Sequence, residues 1–164
     1  DRLQAVRVGN TLSSPQAINS GVPQGSILGP LFFLVYVNDL PMSVPNVSLF
    51  ADDTTVSASS SCKQLLVNDL QKKINSTISW MSTWKLRPNT SKTKVMFFCS
   101  GASDQFCNVS LSCPGSSSTI EIVHEHKHLG IIIDDCLTWA PHVDHICKKT
   151  SSVLGILYPN RSHL

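Results

Sequence analysis

Two carboxylates stand side by side at Asp52 and Asp53, inside the run LFADDTTV from Leu49 to Val56. β-Prone runs, Val47 to Phe50 and Thr54 to Ala58, flank Ala51-Asp52-Asp53, so this stretch reads as a hairpin with the acids at its tip. The apolar residues on either side, Leu49-Phe50 and Thr54 to Val56, are expected to hold the turn in place. Short acidic side chains on a rigid turn lose little freedom on binding a hard divalent cation, and Mg2+ takes only one or two carboxylates from protein. Two such ions about 4 Å apart can clamp the attacking and leaving oxygens of a phosphoryl transfer. That reaction is mostly positioning and charge neutralisation. Standing alone, an Asp doublet is also an ordinary turn former, because Asp bonds its own nearby backbone. A second doublet, Asp134-Asp135, follows Gly130 to Ile133 and leads into Cys136-Leu137-Thr138-Trp139. It lacks a return strand and reads as a strand-end turn or helix entry.

The elements that must hold these groups follow from periodicity and punctuation. Gln4 to Val8, the turn Gly9-Asn10 and a short strand around Pro15 to Ile18 make a hairpin. Gly21 to Gly25 is a tight loop containing Pro23. Ser26 suits a helix cap, with Pro30 tolerated in the first turn. Leu31 to Val37 is apolar on all sides, which predicts a buried helix ended by Pro41 and Pro45. Leu66, Leu70, Ile74, Ile78 and Met81 recur at helical spacing, with Lys72, Lys73 and Asn75 on other faces. Lys94 to Cys99, Ile120 to Val123 and His128 to Ile133 read as strands. The Ser- and Gly-rich Gly101 to Ser118 reads as loop, with one short strand near Val109 to Leu111. Pro141 opens a last helix whose inward face is Val143, Ile146, Thr150, Val153 and Leu157, and Pro159 stops it. Without a clean βαβα alternation, the fold class is α+β, with helices packed on one face of an antiparallel sheet.

A chain of 164 residues can bury one real core, and 41% hydrophobic against 15% charged residues excludes a disordered chain. A net charge of +2 permits contact with a polyanion without demanding it. The six cysteines, Cys62, Cys99, Cys107, Cys113, Cys136 and Cys147, include no CxxC. That speaks against a disulfide framework or zinc knuckle and for a reduced, intracellular setting in nucleus or cytoplasm. No signal peptide is visible. The longest apolar run, Ile27 to Val37, is interrupted by Gly29-Pro30 and is too short to span a bilayer, so no membrane partner is expected. An opening that is already strand-like and lacks Met suggests part of a longer protein.

The motifs, taken in order, resemble the reverse transcriptase of non-LTR (LINE-type) retrotransposons. NSGVPQGSILGPLFFLVYVNDLP is followed by LFADDTTV. Trp84-Lys85-Leu86 with Asn89, Lys92 and Thr93 is similar to the family's "W…L…N…KT" segment. His128-Leu129-Gly130-Ile131, then Asp134, Leu137, Trp139 and His142, is similar to its "LG…D…L.W..H" stretch. Arg2-Gln4-Val6 resembles the strand before the PQG loop. The upstream loop reverses the plain turn-former reading of Asp52-Asp53.

The resemblance implies an RNA-directed DNA polymerase that uses deoxynucleoside triphosphates, an RNA template and a DNA primer. It implies two Mg2+ ions, with Mn2+ possible, held by Asp52 and by Asp53 as its less demanding neighbour. Phe50 stands where many relatives have Tyr. Gly21, Pro23, Gln24 and Gly25 shape a loop near the incoming nucleotide and template, where glycines let backbone approach nucleic acid closely. Lys92 falls in the segment proposed to protonate the leaving pyrophosphate, a role a Lys can fill. His128, Leu129 and Gly130 match the primer grip. The family's first catalytic Asp, on an upstream strand, is not found here, nor are the fingers. By this resemblance residues 1–139 are a partial palm and residues 140–164 a helix leading towards a thumb. The expected piece is inactive alone, its partners being the fingers, upstream strand and thumb of a parent polyprotein. The alternative is a non-catalytic retrotransposon remnant or an RNA-binding module.

Other clusters carry plainer readings. His124, His126 and His128 in HEHKH would share a strand face, as a metal comb or, more simply, as the polar face of an edge strand. Cys107, Cys113 and His124 lack metal-site spacing. Lys72-Lys73 reads as a solvated helix face. Lys92-Lys94 and Lys148-Lys149 can meet phosphates. Trp80, Trp84 and Trp139 read as core residues.

Overall fold

The computed structural model describes residues 2–18, 21–98, 109–113 and 116–158. Of the stretches named above, residues 19–20 at the head of the NSGVPQG run, Cys99, residues 101–108 with Cys107, residues 114–115, and residues 159–164 with Pro159 lie outside them. By packing the chain divides into two units, Asp1–Thr55 and Val56–Leu164.

The first unit opens with an arm. β1 (Arg2–Gln4) and β2 (Arg7–Val8) run out; β3 (Thr11–Leu12) and β4 (Gln16–Ile18) return, pairing antiparallel as β1–β4 and β2–β3. Gly9, at φ 60, makes the turn. The return strand starts at Thr11, ahead of the expected Pro15, and the ladder breaks midway. There Ala5 and Val6 face Ser13, Ser14 and Pro15, a bulge with one extra residue. Pro15 cannot donate to a ladder, so it sits in the break. Ser13 bridges the gap: its N–H donates to the Val6 carbonyl (2.9 Å), and its Oγ accepts from the Val6 N–H (2.9 Å).

α1 (Gly29–Val37) carries Pro30 in its first turn, as expected, but Leu28 is its N-cap and Ser26 is not. The helix is not buried. Leu31, Phe32, Leu34 and Val35 are exposed, and Val37 alone is buried. An all-round apolar sequence tolerates burial on every face but does not supply the cover. α2 (Leu40–Ser43) packs on β5 (Val47–Phe50), and Leu40, Val44 and Val47 are the buried side chains around them. β5 pairs with β6 (Asp53–Val56).

The second unit is organised by α3 (Lys63–Thr83). Val67, Leu70, Ile74 and Ile78 pack with Val95, Phe97, Val109 and Ile120 in one hydrophobic cluster, with Leu66 at its edge. Lys73 departs from the expected solvated face: it is buried, donating to the Ser57 carbonyl (3.1 Å) and pairing with Asp69 (2.8 Å). An ammonium goes inward only where such partners wait, and its apolar stem covers core surface on the way. Gln71 reaches β8 (Ser110–Cys113): its Nε2 donates to the Ser110 carbonyl (2.8 Å) and its Oε1 accepts from the Ser110 N–H (2.9 Å). The helix stops at a Schellman turn. The Leu86 N–H donates to the Met81 carbonyl (2.8 Å) and the Lys85 N–H to Ser82 (3.1 Å), with Lys85 left-handed at φ 58.

Strands pair two by two. β7 (Lys94–Val95) lies parallel to β10 (Glu121–Ile122), with Lys94 ion-paired to Glu121 opposite it. β8 pairs antiparallel with β9 (Ser116–Thr119), a Ser-rich strand inside a stretch that composition reads as loop. β11 (Glu125–His128) and β12 (Ile131–Asp134) form an antiparallel hairpin where the sequence suggests one strand. The α+β class therefore stands, with six separate two-stranded ladders among the described residues, one of them the parallel β7–β10 pair. Trp84 and Trp139 are exposed rather than core, and Trp80 is half-buried with its ring 6.0 Å from that of Trp84.

α4 (Ala140–Leu157) packs on β12 through its first turn, where the Ile132 N–H donates to His142 Nδ1 (3.3 Å). Four residues of its expected inward stripe, Val143, Ile146, Thr150 and Val153, are exposed, and the side chain of the fifth, Leu157, lies outside the described residues. Asp134 joins strand to helix. Its carboxylate accepts from the N–H groups of Cys136 (3.2 Å), Thr138 (3.0 Å) and Trp139 (3.0 Å) and from Thr138 Oγ1 (3.2 Å). Those bonds hold a loop in which Leu137 and Trp139 are left-handed, φ 56 and 64. No helix among the described residues is long and apolar enough to cross a membrane.

Gln71→Ala leaves both backbone groups of Ser110 without that partner and should destabilise the chain by about 1–3 kcal/mol in urea titration. Asp134 gives a pH signature. The Thr138 N–H, first among its donors, holds its carboxyl below the ordinary value of 3.8. A carboxyl lowered by folding stabilises above its unfolded value, and that contribution is lost as pH falls through the folded one. Urea midpoints should therefore fall on acidification below pH 3.8, and Asp134→Asn should flatten that part of the profile.

Candidate functional site

The first unit carries two of the expected features. β5 and β6 are joined by Ala51 and Asp52 alone, and a two-residue connection fixes the pair as an antiparallel hairpin. Asp52 thus lies in the turn and Asp53 opens the return strand, both exposed. Strand alternation buries Val47 and half-buries Leu49 while Ser48 and Phe50 face out. Phe50 is 64% exposed, so Leu49 anchors the hairpin and Phe50 does not. Ala51 is left-handed at φ 50, a conformation that costs an L-residue about 1–2 kcal/mol. A strained turn this short fixes where the two carboxylates emerge.

The loop at Gly21 to Gly25 has its own logic. The Ser26 N–H donates to the Pro23 carbonyl (3.1 Å), and Gly25 at φ 84 is the third of four turn residues. That is the type II pattern, which requires φ above zero at this position. Gln24 occupies the apex and is exposed. Gly21, at φ 82, also needs the left-handed region, although a Cβ at either glycine would meet nothing within 4 Å. The constraint is therefore conformation rather than space. Arg2 donates from its guanidinium to the Gly21 carbonyl. No local pattern announces this long-range bond, and sequence reasoning missed it.

The second unit carries the other two. Lys92 is exposed on a turn built around Asn89, between α3 and β7. His128, Leu129 and Gly130 form the tip of the β11–β12 hairpin, with Leu129 at φ 49 and Gly130 at φ 89. Two positive φ values in a two-residue turn are the type I′ signature.

The competing clusters resolve into structural roles. His124 precedes β11 and its Nδ1 lies 2.6 Å from Asp135, so the three histidines do not form one comb. That bond, first among its causes, lowers the Asp135 carboxyl, and Asp135 in turn pushes the Cys136 thiol up. A thiol kept protonated is a poor metal ligand and nucleophile. Asp134, Asp135 and Cys136 are the one close group of three such ligands among the described residues, and Asp134 is committed to backbone N–H groups.

Residues 2–133 match the family model described as "Reverse transcriptase (RNA-dependent DNA polymerase)". The Gly21 to Gly25 loop, Phe50, Asp52, Asp53, Lys92 and His128 to Gly130 all lie within that span. The chain is 32% identical over 158 residues to the RNA-directed DNA polymerase from mobile element jockey of Drosophila melanogaster, covering 89% of this chain and 16% of that protein. It is 33% identical over 159 residues to the probable RNA-directed DNA polymerase from transposon BS of the same species, covering 91% and 17%. The corresponding protein of transposon X-element is 30% identical over 154 residues, 87% of this chain and 16% of its own length. No solved structure matches. Four ordered motifs, a family match over most of the chain and three such relatives agree, and the chain belongs to the reverse transcriptase (RNA-dependent DNA polymerase) family.

Proposed function

We propose that this chain carries the metal-binding hairpin and the nucleic-acid contacts of an RNA-directed DNA polymerase. Within a longer polypeptide it would add deoxynucleotides to a DNA primer on an RNA template. The observation that carries this reading is the exposed Asp52-Asp53 pair on a two-residue hairpin turn, in a chain of this family.

The donor set suits a hard divalent cation, because both groups are carboxylates presented by one fixed turn. Asp52 and Asp53 would hold Mg2+, or Mn2+ in its place, together with a further carboxylate from outside these 164 residues. When bound, the ions would neutralise triphosphate charge and favour attack by the primer's 3′ oxygen. The Gly21 to Gly25 loop lies against nucleotide and template, and Gln24 at its apex hydrogen-bonds a sugar or base edge. Phe50, facing out beside the acids, flanks the incoming nucleotide. His128, Leu129 and Gly130 hold the primer end. As the 3′ oxygen bonds to the α-phosphorus, the bond from that phosphorus to the bridging oxygen breaks. Lys92 gives the bridging oxygen a proton, and the 3′-hydroxyl proton passes to water.

The test exchanges the matching segment of the jockey polymerase for this chain and follows dTTP incorporation on poly(rA)–oligo(dT) with Mg2+. The exchanged enzyme should be active, Asp52→Ala should lower the rate about a thousandfold, and Asp53→Asn should cost less. Activity that survives Asp52→Ala would displace the metal site from this hairpin. A folded but inactive exchange, beside an active parent, would favour a remnant or an RNA-binding module. Separately, Ala51→Gly should relieve the left-handed turn and raise stability of the 164-residue chain by about 1 kcal/mol in urea titration.

A further inference from the structure

Lys92 sits in a segment with no ladder of its own. α3 ends at its Schellman turn by Leu86, and β7 begins at Lys94. Between them, one residue gathers the backbone that carries Lys92. The Asn89 side-chain Oδ1 accepts from Ser91 Oγ (2.8 Å) and from the Lys92 N–H (3.2 Å). The Asn89 carbonyl accepts from the N–H groups of Lys92 (3.2 Å) and Thr93 (3.0 Å) and from Thr93 Oγ1 (2.8 Å). Asn89 is therefore bonded to each of residues 91, 92 and 93, an Asx-type turn closed twice over.

We infer that Asn89 is a positioning residue for Lys92. It fixes the backbone from which the lysine reaches the leaving pyrophosphate. The inference rests on the role proposed for Lys92 above and adds a requirement to it. Both bonds at the Asn89 side chain arrive at its oxygen from donors, so the turn uses an acceptor at this position and makes no use of the amide NH2. Replacement by Ala removes two bonds and leaves the three at the carbonyl, which loosens the turn without abolishing it. Replacement by Asp keeps an acceptor of the same length. A misplacement on the order of 1 Å in a catalytic group can cost about a hundredfold in rate, so partial loosening should be visible in turnover.

The experiment uses the exchanged jockey polymerase and measures kcat and KM for dTTP on poly(rA)–oligo(dT). The variants are Asn89→Ala, Asn89→Asp, Lys92→Ala and the Asn89→Ala/Lys92→Ala pair. Asn89→Ala should lower kcat about tenfold with KM within about twofold of the parent. Asn89→Asp should recover most of the loss. In the Lys92→Ala background Asn89→Ala should cost little more, because a residue that acts through another has nothing left to position. Full cost of Asn89→Ala in that background, or failure of Asp to rescue, overturns the positioning role. If Lys92→Ala itself leaves kcat unchanged, the proton-donor reading of Lys92 fails instead, and the two failures are told apart by that single variant.

Discussion

The inner face of α3 is what the second unit depends on. Two- to four-residue ladders do not hold themselves together in water. Val95 of β7, Ile122 of β10, and Val109 and Ile120 at the ends of β8 and β9 all reach the cluster formed by Val67, Leu70, Ile74 and Ile78. Each such burial stabilises by about 1.5–3 kcal/mol, which sets the register of the helix. The polar bonds then follow from that register. Gln71 and Lys73 flank the Leu70–Ile74 stripe on its two sides, where they meet Ser110 and Ser57 respectively. The C-terminal end of the same helix launches the segment that leads to Asn89 and Lys92.

How much of this was legible depends on whether the deciding interaction is local. The 3.6-residue period marked α3 and its core face, and the α+β class followed from element order. Period could not show that Lys73 turns inward, because that depends on Asp69 one turn away and on a carbonyl sixteen residues back. The same limit explains α1 and α4. An apolar stripe says which side of a helix can be buried, and says nothing of what covers it; both stripes meet water here. The Ser-rich β9 is the reverse case, where pairing with β8 overrides weak local propensity.

The two Asp doublets show the same distinction at the level of chemistry. Asp52-Asp53 and Asp134-Asp135 are identical as dipeptides. Asp134 ends its strand and is followed by the backbone of residues 136–139, whose N–H groups turn back onto its carboxylate. Asp53 instead opens β6, whose backbone is engaged in its own ladder, and both carboxylates of the first doublet stay exposed. The presence or absence of a return strand, which is readable in sequence, decides whether the carboxylates cap backbone or stay exposed. The Arg2 bond to Gly21 and the closure of Asn89 on residues 91–93 were not readable as contacts, since no spacing rule encodes them.

Three of the four features named for function are tight turns that use the left-handed region: Ala51 beside the acids, Gly21 and Gly25 around Gln24, and Leu129-Gly130 at the hairpin tip. At Ala51 and Leu129 the residue is not glycine, so the conformation is held against its own preference. Such strain persists only where the flanking ladders determine the turn, and β5–β6 and β11–β12 both close directly on it. A longer, relaxed loop would carry the same side chains with less strain but spread them over many positions. For the phosphoryl transfer proposed above, where most of the rate comes from placing charge, a short turn with its position fixed would be the better device. Lys92 is the exception, on an unstrained turn closed by hydrogen bonds, and it is the one group of the set whose proposed task is to move a proton. A turn held by the Asn89 acceptor rather than by backbone strain can fix the root of a long side chain while leaving its end free to reach.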